Sequence, residues 1–504
     1  MTDQPPEDGS GSGETGAEKG TILRARNGDV IGYDSSGLVM RLSDKVIADI
    51  GRRLGALPAG AARAGLHGAV QAEGLDPALL GDVDAWNLRQ TGEWYVFSAN
   101  LPGEQGARQY RCLVEADSAE EQVSIVADAP GALLGVFSLG GARATKALPR
   151  VPRFPYHILA PADDIGAVGM GGVEPARAMS HLNTLREVTR DALLAEVLLA
   201  DRRRNHRALP LYMVRAETDG SPSVAALREG QAVANLLTAA RSLKAAADRM
   251  AKPARILCIR LDYTLEDVQS DAVAFRDGML ALLDEITEGV GKMGFHKPVF
   301  LATFDCGTPH LSDHPALRAQ WDLAWNHGEH DLVFAAPGYG FAQDSYGRPT
   351  PEAMLQMAEM DALAVTAIYE DRPWFCPTFL LAEREGERLI RVRARALGPL
   401  VIDAADPFGA GPTAGFRLEG QGAPHITQVA LAEDDPQDLL LSLDAPATDD
   451  LHLLYGFAAA PRAADDPAAA HPAAAGSLRD DWQGAAEDGT PLHRWALPCA
   501  LPVH

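Results

Sequence analysis

The chain has 504 residues with a formal net charge of −24, the balance of 69 acidic and 45 basic side chains. This length exceeds one ordinary hydrophobic core and predicts about two to four domains. A surface this acidic repels phosphate backbones and anionic lipid, which disfavours nucleic-acid binding and membrane-surface roles.

The N-terminal part of the chain divides into a polar tail and a longer region that we interpret as an attachment segment. Residues 1–20 are rich in Gly, Ser, Glu and Pro and cannot bury enough apolar surface to fold alone, so we predict a disordered tail. The tail has neither the basic nor the apolar region of a signal peptide, and no apolar run in the chain is long enough to span a bilayer. The attachment segment, residues 21–80, starts as short alternating strands and continues through a helical stretch into Gly/Ala-rich sequence.

Residues 81–150 have the pattern of a small antiparallel β module. Its predicted strands are rich in β-branched and aromatic residues and are separated by polar turns; they are GEWYVFSAN, QYRCLVEA, EQVSIVADA and LLGVFSLGG. The segment VPRFP, with its two prolines, predicts a linker into the next domain.

Residues 151–372 alternate apolar strands with amphipathic helices, which is typical of a parallel sheet with helices on both faces. The strands are YHILA, LPLYMVRA, RILCIRLD, KPVFLATFD and DLVFAAP. Residues 373–504 return to short strands around an Ala/Pro/Asp-rich loop at 458–475 and predict an antiparallel β-sandwich. We therefore expect a multidomain protein: a small β module, an α/β domain and a C-terminal β-sandwich.

Cysteines and histidines give no metal or disulfide pattern. The five cysteines are odd in number, scattered and without CxxC spacing, as expected for a chain made and assembled in a reducing cytoplasm. Two histidine groups suggest metal sites, but one lies in a loop and the other ends a helix, so we favour structural or surface roles and expect no metal or other cofactor. These groups are His310 and His314 with Asp305, Cys306 and Asp313, and His327 with His330.

The glycine-rich segment GAVGMGG, Gly166 to Gly172, follows a strand and suggests a dinucleotide-binding loop. Its glycines lack GxGxxG spacing, and the adjacent Asp163 and Asp164 would repel a pyrophosphate. We favour a sharp turn at the sheet edge.

Residues 81–146 resemble the knob-type modules of bacteriophage tail fibres and R-type pyocins. The matching features are DVDAWNLRQTGEWYVFSAN, the turn at Leu101-Pro102, the strand CLVEA and the segment VSIVADAPGALLGVFSLGG. The resemblance implies a surface that binds sugars.

Residues 156–504 resemble SGNH hydrolases of the sialate O-acetylesterase-like group found in phage tails. The match is best in ALRAQWDLAWNHGEHDLVFAAPGYGFAQDSYGRPTPEAM and in the closing segment GSLRDDWQGAAEDGTPLHRWALPCALPV. The resemblance implies a flavodoxin-like three-layer α/β domain over residues 151–372.

The catalytic groups that this resemblance implies are missing. The serine position falls at Ile165, and the third block of the family falls in ILCIRLDYTLED, with Arg260 to Asp262 in place of its usual residues. The histidine position holds Arg348, which stays protonated and cannot act as a general base, so Asp344 beside it has no histidine to orient. We therefore predict no catalytic residues and no esterase activity.

Candidate carbohydrate contacts come from both regions. Aromatic faces suit the apolar faces of pyranoses, although alternation along a strand turns one of Trp94 and Tyr95 inward. The polar residues of the former catalytic cleft could hydrogen-bond a glycan without cleaving it. The full set of candidates is Trp86, Arg89, Trp94, Tyr95, Asp262, Tyr263 and Arg348.

These observations predict a structural receptor-binding protein, a fibre or spike of a phage or phage-like gene-transfer particle. Its expected ligand is host capsular polysaccharide or lipopolysaccharide, and its N-terminal region would attach to capsid or tail proteins. We expect a homo-oligomer, because weak sugar sites gain from multivalency, with no nucleic-acid partner and no membrane insertion. The protein would be made in a bacterial cytoplasm and exposed after release. An active carbohydrate O-acetylesterase with relocated catalytic residues, and a purely structural assembly protein, remain alternatives.

Overall fold

The alternating N-terminal segment folds as a three-stranded antiparallel sheet in this computed structural model. Its strands are β1 (Gly20–Ala25), β2 (Gly28–Asp34) and β3 (Gly37–Met40). The chain divides into two compact units, Met1–Leu75, which contains this sheet, and Asp76–His504.

The structure describes residues 20–25, 28–34, 37–40, 83, 85–104, 106–113, 124–141, 143–308, 314–344, 347–457 and 475–504. The predicted disordered tail, up to residue 19, lies outside these residues. So does the predicted helical and Gly/Ala-rich stretch at 41–80.

The second unit begins with a four-stranded antiparallel sheet, as the sequence of residues 81–127 predicts. Its strands, in spatial and chain order, are β4 (Ala85–Thr91), β5 (Trp94–Ala99), β6 (Arg108–Leu113) and β7 (Val126–Ala127). The edge strand β4 is largely exposed, whereas β5 buries most of its side chains.

The assignment of LLGVFSLGG to this antiparallel module is wrong. The segment forms β8 (Leu133–Gly140), which pairs in parallel with two later strands in the middle of a seven-stranded sheet. Seven of its eight residues are buried, because a central parallel strand is covered on both faces. The α/β region therefore starts inside the predicted module 81–150, before the VPRFP segment.

The seven-stranded sheet has the spatial order β10-β9-β11-β8-β12-β13-β14. All neighbours are parallel except β10, which is antiparallel to β9. Its strands besides β8 are β9 (Ile158–Pro161), β10 (Leu182–Thr184), β11 (Leu211–Thr218), β12 (Ala254–Asp262), β13 (Val299–Phe304) and β14 (Asp331–Pro337).

Helices cover both faces of this sheet, as the alternating pattern predicts. Adjacent residues of β8 face opposite sides: Gly135 lies against Leu243 of one helix, while Val136 joins the core that includes Leu193 and Met354 of two others. The helices are α1 (Arg190–Arg204), α2 (Val224–Glu229), α3 (Gln231–Arg249), α4 (Ala272–Lys292), α5 (Pro315–Leu323) and α6 (Pro351–Tyr369). Within the described ranges, none of them combines the length and the apolar character needed to cross a membrane.

The C-terminal region consists of antiparallel sheets around a common apolar core. The core contains Phe379, Val392, Leu441 and Tyr455, all of them fully buried. One sheet has the order β15 (Thr378–Gly386), β16 (Leu389–Arg395), β20 (Asp438–Leu443), β19 (Ile426–Leu431). Two smaller sheets have the orders β17 (Leu400–Ile402), β22 (Leu478–Ala485), β23 (Pro491–Trp495), and β18 (Phe416–Glu419), β21 (His452–Tyr455), β24 (Cys499–Pro502).

Candidate ligand-binding site

The strand order indicates where a ligand site is expected. From β8 the chain first adds strands on one side, β9 and β11, and then adds β12 on the other. In open α/β sheets, ligands bind beyond the carboxyl ends of the strands at the point where the order reverses in this way. In this protein that point is the edge where β8 ends at Gly140 and β12 ends at Asp262.

A pocket lies at this edge, with a cavity volume of about 80 Å³. That is room for about two or three water molecules at the volume each occupies in the liquid. Six of the side chains that line the pocket are charged, and Phe341, Met354 and Met357 supply an apolar wall. The pocket is therefore small, and its lining combines charged and apolar side chains.

The charged floor of the pocket consists of Arg190, Arg260 and Asp262. Both arginines bind the Asp262 carboxylate: Arg260 donates through Nη2, and Arg190 Nη1 lies 3.4 Å from Oδ1. Burial opposes the charge on Asp262, but the attraction of Arg260, Arg190 and Arg143 outweighs it and holds the pKa of this carboxyl below its ordinary value. Asp262 therefore faces the pocket as an ionised hydrogen-bond acceptor.

A second layer of buried groups fixes the two arginines from below. Asp361 on α6 accepts two hydrogen bonds from Arg190, each of 3.0 Å, and Asp191 accepts one of 2.8 Å from Arg260. The Ser138 hydroxyl on β8 donates to the other oxygen of Asp191 at 2.8 Å. All three of these supporting side chains are fully buried. Ser138 is thus committed to the protein interior and does not reach the pocket.

The rim of the pocket is built around Arg143, which follows the glycine pair at the end of β8. Arg143 binds both carboxylate oxygens of Glu266, at 2.9 and 3.0 Å, and also Asp305 at 2.5 Å. A Cβ on Gly141 would lie 2.1 Å from the Glu266 side chain, so this arrangement requires glycine there. Lys146 completes the rim, with its ammonium group 3.5 Å from Asp344.

The lining suits hydrogen bonding better than acid–base catalysis. Its carboxylates can accept from hydroxyl groups and its guanidinium groups can donate to them. The described lining residues include no serine, cysteine or histidine, and the hydroxyl group of the lining residue Thr303 accepts a hydrogen bond from Arg190 at 2.7 Å. An ionised Asp262 also has no proton to donate as a general acid.

Three of the sequence-predicted residues lie at or beside this edge, with different exposure. Asp262 lines the pocket. Arg348 lies between the lining residues Gly347 and Pro349, is about half exposed and binds Asp344 at 3.0 Å. Tyr263 is buried, and its hydroxyl donates to the Ser221 carbonyl at 2.6 Å, so it is unable to contact a ligand in the pocket.

The four candidates in the antiparallel module do not line the pocket. Trp86 and Arg89 are exposed on the edge strand β4. Tyr95 is buried, and the Trp94 indole donates to the Arg249 carbonyl at 3.3 Å while the Arg111 guanidinium lies over its ring. Trp86 and Arg89 thus remain accessible to a ligand, whereas Trp94 and Tyr95 have structural contacts.

The placement of the serine position at Ile165 is also corrected. That placement took YHILA as the first strand of the sheet, but YHILA forms β9, which is separated from β8 by β11. Ile165 therefore follows a strand away from the point of reversal. The strand that does end there, β8, is followed by Gly140, Gly141, Ala142 and Arg143.

Sequence reasoning missed most of the charged site. Arg143, Arg190 and Asp361 were not predicted, because they come from separate segments that only the fold brings together, and Asp305 was considered only beside the histidines. One usable signal was present: Arg143 lies two residues after a glycine pair at a strand end, where ligands commonly bind in α/β sheets.

The glycine-rich loop packs against carboxylates of the protein itself. A Cβ on Gly166, Gly169 or Gly172 would lie 2.6, 2.0 or 2.6 Å from an oxygen of Glu187, Glu217 or Asp219, respectively. Carboxyl side chains of the protein thus occupy the space that a pyrophosphate would need. This arrangement supports the interpretation of the segment as a turn.

Of the predicted histidine groups, His310 and Asp313 lie outside the described residues. His314 caps α5, Asp305 is paired with Arg143, and His330 lies 3.1 Å from Asp284. In the described part of the chain, no three His, Cys, Asp or Glu side chains are grouped as metal ligands would be.

No protein-family model and no curated protein matches the chain. Among solved structures, it is similar to three structures of the bacterial S-layer protein SbsC. The N-terminal part matches at 12% identity over 45% of this chain and 38% of that one, with a TM-score of 0.16. Domains 1–6 match at 16% identity over 28% and 18% (TM-score 0.14), and residues 31–844 at 10% over 45% and 22% (TM-score 0.15). The chain thus spans well under half of each of these structures, and at such TM-scores the similarity carries no argument.

Proposed function

We propose that this protein binds carbohydrate on a cell surface through the strand-end pocket and does not hydrolyse its ligand. The composition of the pocket is the observation that carries the proposal. An ionised Asp262 and paired guanidinium groups line the same pocket as the apolar side chain of Phe341, which suits a sugar with hydroxyl groups on its edge and C–H groups on its face.

The strand order supports a disabled SGNH-type framework as the origin of this site. The order β11-β8-β12-β13-β14 corresponds to the flavodoxin-like arrangement 2-1-3-4-5, with β8 as the first strand. An SGNH serine would follow that first strand, and the residues at 140–143 offer no hydroxyl or thiol. The Arg260 and Arg348 substitutions are consistent with a fold kept for binding. The antiparallel region after residue 373 would be the accompanying β-sandwich.

We further propose that the protein is a fibre or spike component of a phage or phage-like particle. The resemblance of the β4–β7 region to knob-type modules supports this role, and the exposed Trp86 and Arg89 would add a second glycan contact. The N-terminal region would attach the protein to capsid or tail proteins, and oligomerisation would raise the avidity of weak sugar sites. The surface polysaccharide of a bacterial host, capsule or lipopolysaccharide, would be the ligand.

A pull-down of the full chain on capsular and lipopolysaccharide extracts of candidate host cells tests the proposal. We expect retention by at least one extract, and at least tenfold weaker retention of Ala144→Leu, because Ala144 lines the pocket and a larger side chain would fill it. The control is Ala274→Leu, a change at an exposed position of α4. Absence of retention by any extract, or equal retention of the two variants, contradicts the proposal.

Hydrolysis assays separate binding from the esterase alternative. We expect no turnover of p-nitrophenyl acetate or of acetylated polysaccharide by the purified full chain. Turnover that Ala144→Leu abolishes and Ala274→Leu preserves would show that the pocket is an active site and would refute a purely binding function.

A further inference from the structure

Carboxylates outnumber the cationic side chains around the pocket. Each cationic side chain that lines it has a carboxylate nearby: Arg143 with Glu266 at 2.9 Å, Lys146 with Asp344 at 3.5 Å, Arg190 with Asp361 at 2.8 Å and Arg260 with Asp191 at 2.8 Å. Two further carboxylates, Asp262 and Asp305, also line the pocket. We propose that the pocket selects an uncharged, hydroxyl-bearing sugar group and rejects acidic sugars; this inference rests on the proposed carbohydrate-binding function.

The carboxylates explain the rejection of anions. An acidic sugar would bring its carboxylate beside Asp262 and Asp305, whose side chains are 19% and 11% exposed in the pocket. Protein carboxylates already neutralise the positive charge of the arginines there, so a ligand anion gains little net attraction from them. Like-charge contacts and an unpaired buried carboxylate both oppose such binding.

A sugar hydroxyl fits the same surroundings without charge conflict, because it donates one hydrogen bond and accepts others. It can donate to Asp262 or Asp305 and accept from a guanidinium group beside them. Two neighbouring hydroxyls can bridge such an acid–base pair, and a cavity of about 80 Å³ has the size for one such edge of a ring. The apolar wall of Phe341 and Met354 can face the C–H groups of that ring.

Paired neutral and acidic saccharides test the inference. The full chain is titrated with an array on which each neutral sugar is matched by its uronic acid: glucose with glucuronic acid, galactose with galacturonic acid, mannose with mannuronic acid. We expect at least tenfold tighter binding of one or more neutral members than of their acidic partners. Equal or tighter binding of the acidic members overturns the inference but leaves carbohydrate binding intact. Absence of binding to every member, together with a negative polysaccharide pull-down, overturns both.

Removing a pocket carboxylate supplies the sharper test. Asp262→Asn leaves the guanidinium groups of Arg190 and Arg260 without one carboxylate each, so binding of a uronic acid should rise at least tenfold over the wild type while binding of its neutral partner falls. Asp305→Asn likewise removes one carboxylate from Arg143, which keeps its bond to Glu266. This variant provides the test if circular dichroism shows that Asp262→Asn does not fold.

The matched control is Asp322→Asn. Asp322 is 23% exposed, similar to Asp262 at 19%, and pairs with Arg276 outside the pocket. The Asp322→Asn variant should bind both members of each saccharide pair with the same affinity as the wild type. A folded pocket variant that binds uronic acids no better than Asp322→Asn overturns the inference.

Discussion

Replacing Glu217 with glutamine removes a buried ionisable group from the carboxyl end of β11. The Glu217 side chain is almost completely buried, and its Oε2 atom has no hydrogen-bond partner in the part of the chain that the structure describes. Gly169 lies against it from the glycine-rich loop, and Arg215, on the same strand, is 4.0 Å away. Arg215 is in turn bound to Asp163 at 2.5 Å. Glutamine keeps the volume of the side chain and cannot ionise.

Burial dominates the titration of Glu217. It raises the pKa from the ordinary value of 4.5 to about 7, with Asp163 adding to the rise while Arg215 and Asn235 oppose it. The folded protein therefore binds this proton more tightly than the unfolded chain does. The stabilisation is fully present below pH 4.5 and is lost as the pH rises through about 7. At about 1.4 kcal/mol per pH unit, the loss between pH 5 and pH 8 amounts to roughly 2 to 3 kcal/mol.

Urea unfolding of wild type and Glu217→Gln at pH 5, 6, 7 and 8 measures this effect. We compare the free energy of unfolding of the variant with that of the wild type at each pH. The difference, variant minus wild type, should be roughly 2 to 3 kcal/mol larger at pH 8 than at pH 5. Glu433→Gln, a change at an exposed loop position, should follow the wild type throughout. If the difference between Glu217→Gln and wild type is the same at all four pH values, Glu217 does not titrate in this range and the reasoning is refuted.

Three further predictions concern stability. Asp361→Ala removes one of the two carboxylates that Arg190 and Arg260 share and should lower the free energy of unfolding by about 3 to 5 kcal/mol, whereas Asp434→Ala at the surface should leave it nearly unchanged; urea unfolding of both compares them. Gly169→Ala would place a Cβ 2.0 Å from the Glu217 carboxylate and should lower the stability by about 1 to 3 kcal/mol, seen as a reduced Tm; an unchanged Tm would contradict the geometry. Thr189→Ala removes the side-chain cap of α1 and should cost about 1 kcal/mol in urea unfolding, and Thr189→Ser should recover most of it.

The local sequence pattern predicted which segments form helices and which form strands, but it did not predict which strands pair with each other. The strands β11 to β14 were recognised as parallel because each is apolar and lies between amphipathic helices. The same signal was ambiguous for β8, which follows antiparallel strands in the chain and precedes no helix directly. Its partners are at residues 211–218 and 254–262, so its place in the sheet depends on contacts far away in sequence.

The sequence predicted one residue of the pocket correctly and its immediate neighbour incorrectly. Asp262 ends β12 and faces the pocket, but the adjacent Tyr263 points into the interior, where its hydroxyl meets the Ser221 carbonyl. Neighbouring residues of an extended chain point to opposite sides, so a motif position alone does not determine which of two residues faces a ligand. The partners Arg190 and Asp361 are 171 residues apart and could be paired only through the packing of α1 against α6.

The buried ionic layer beneath the pocket is better explained by orientation than by stability. Burying an arginine and a carboxylate together gains little over packing apolar side chains of similar volume, because desolvation offsets the attraction between them. Arg260, Arg190 and Asp262 nevertheless rest on Asp191 and Asp361, both fully buried. This support fixes the direction of two guanidinium groups and keeps Asp262 ionised where the three reach the pocket. Fixed donors beside a fixed acceptor can bind hydroxyl groups without rearrangement. Such an arrangement contributes to the affinity for a ligand and not to the stability of the unliganded fold.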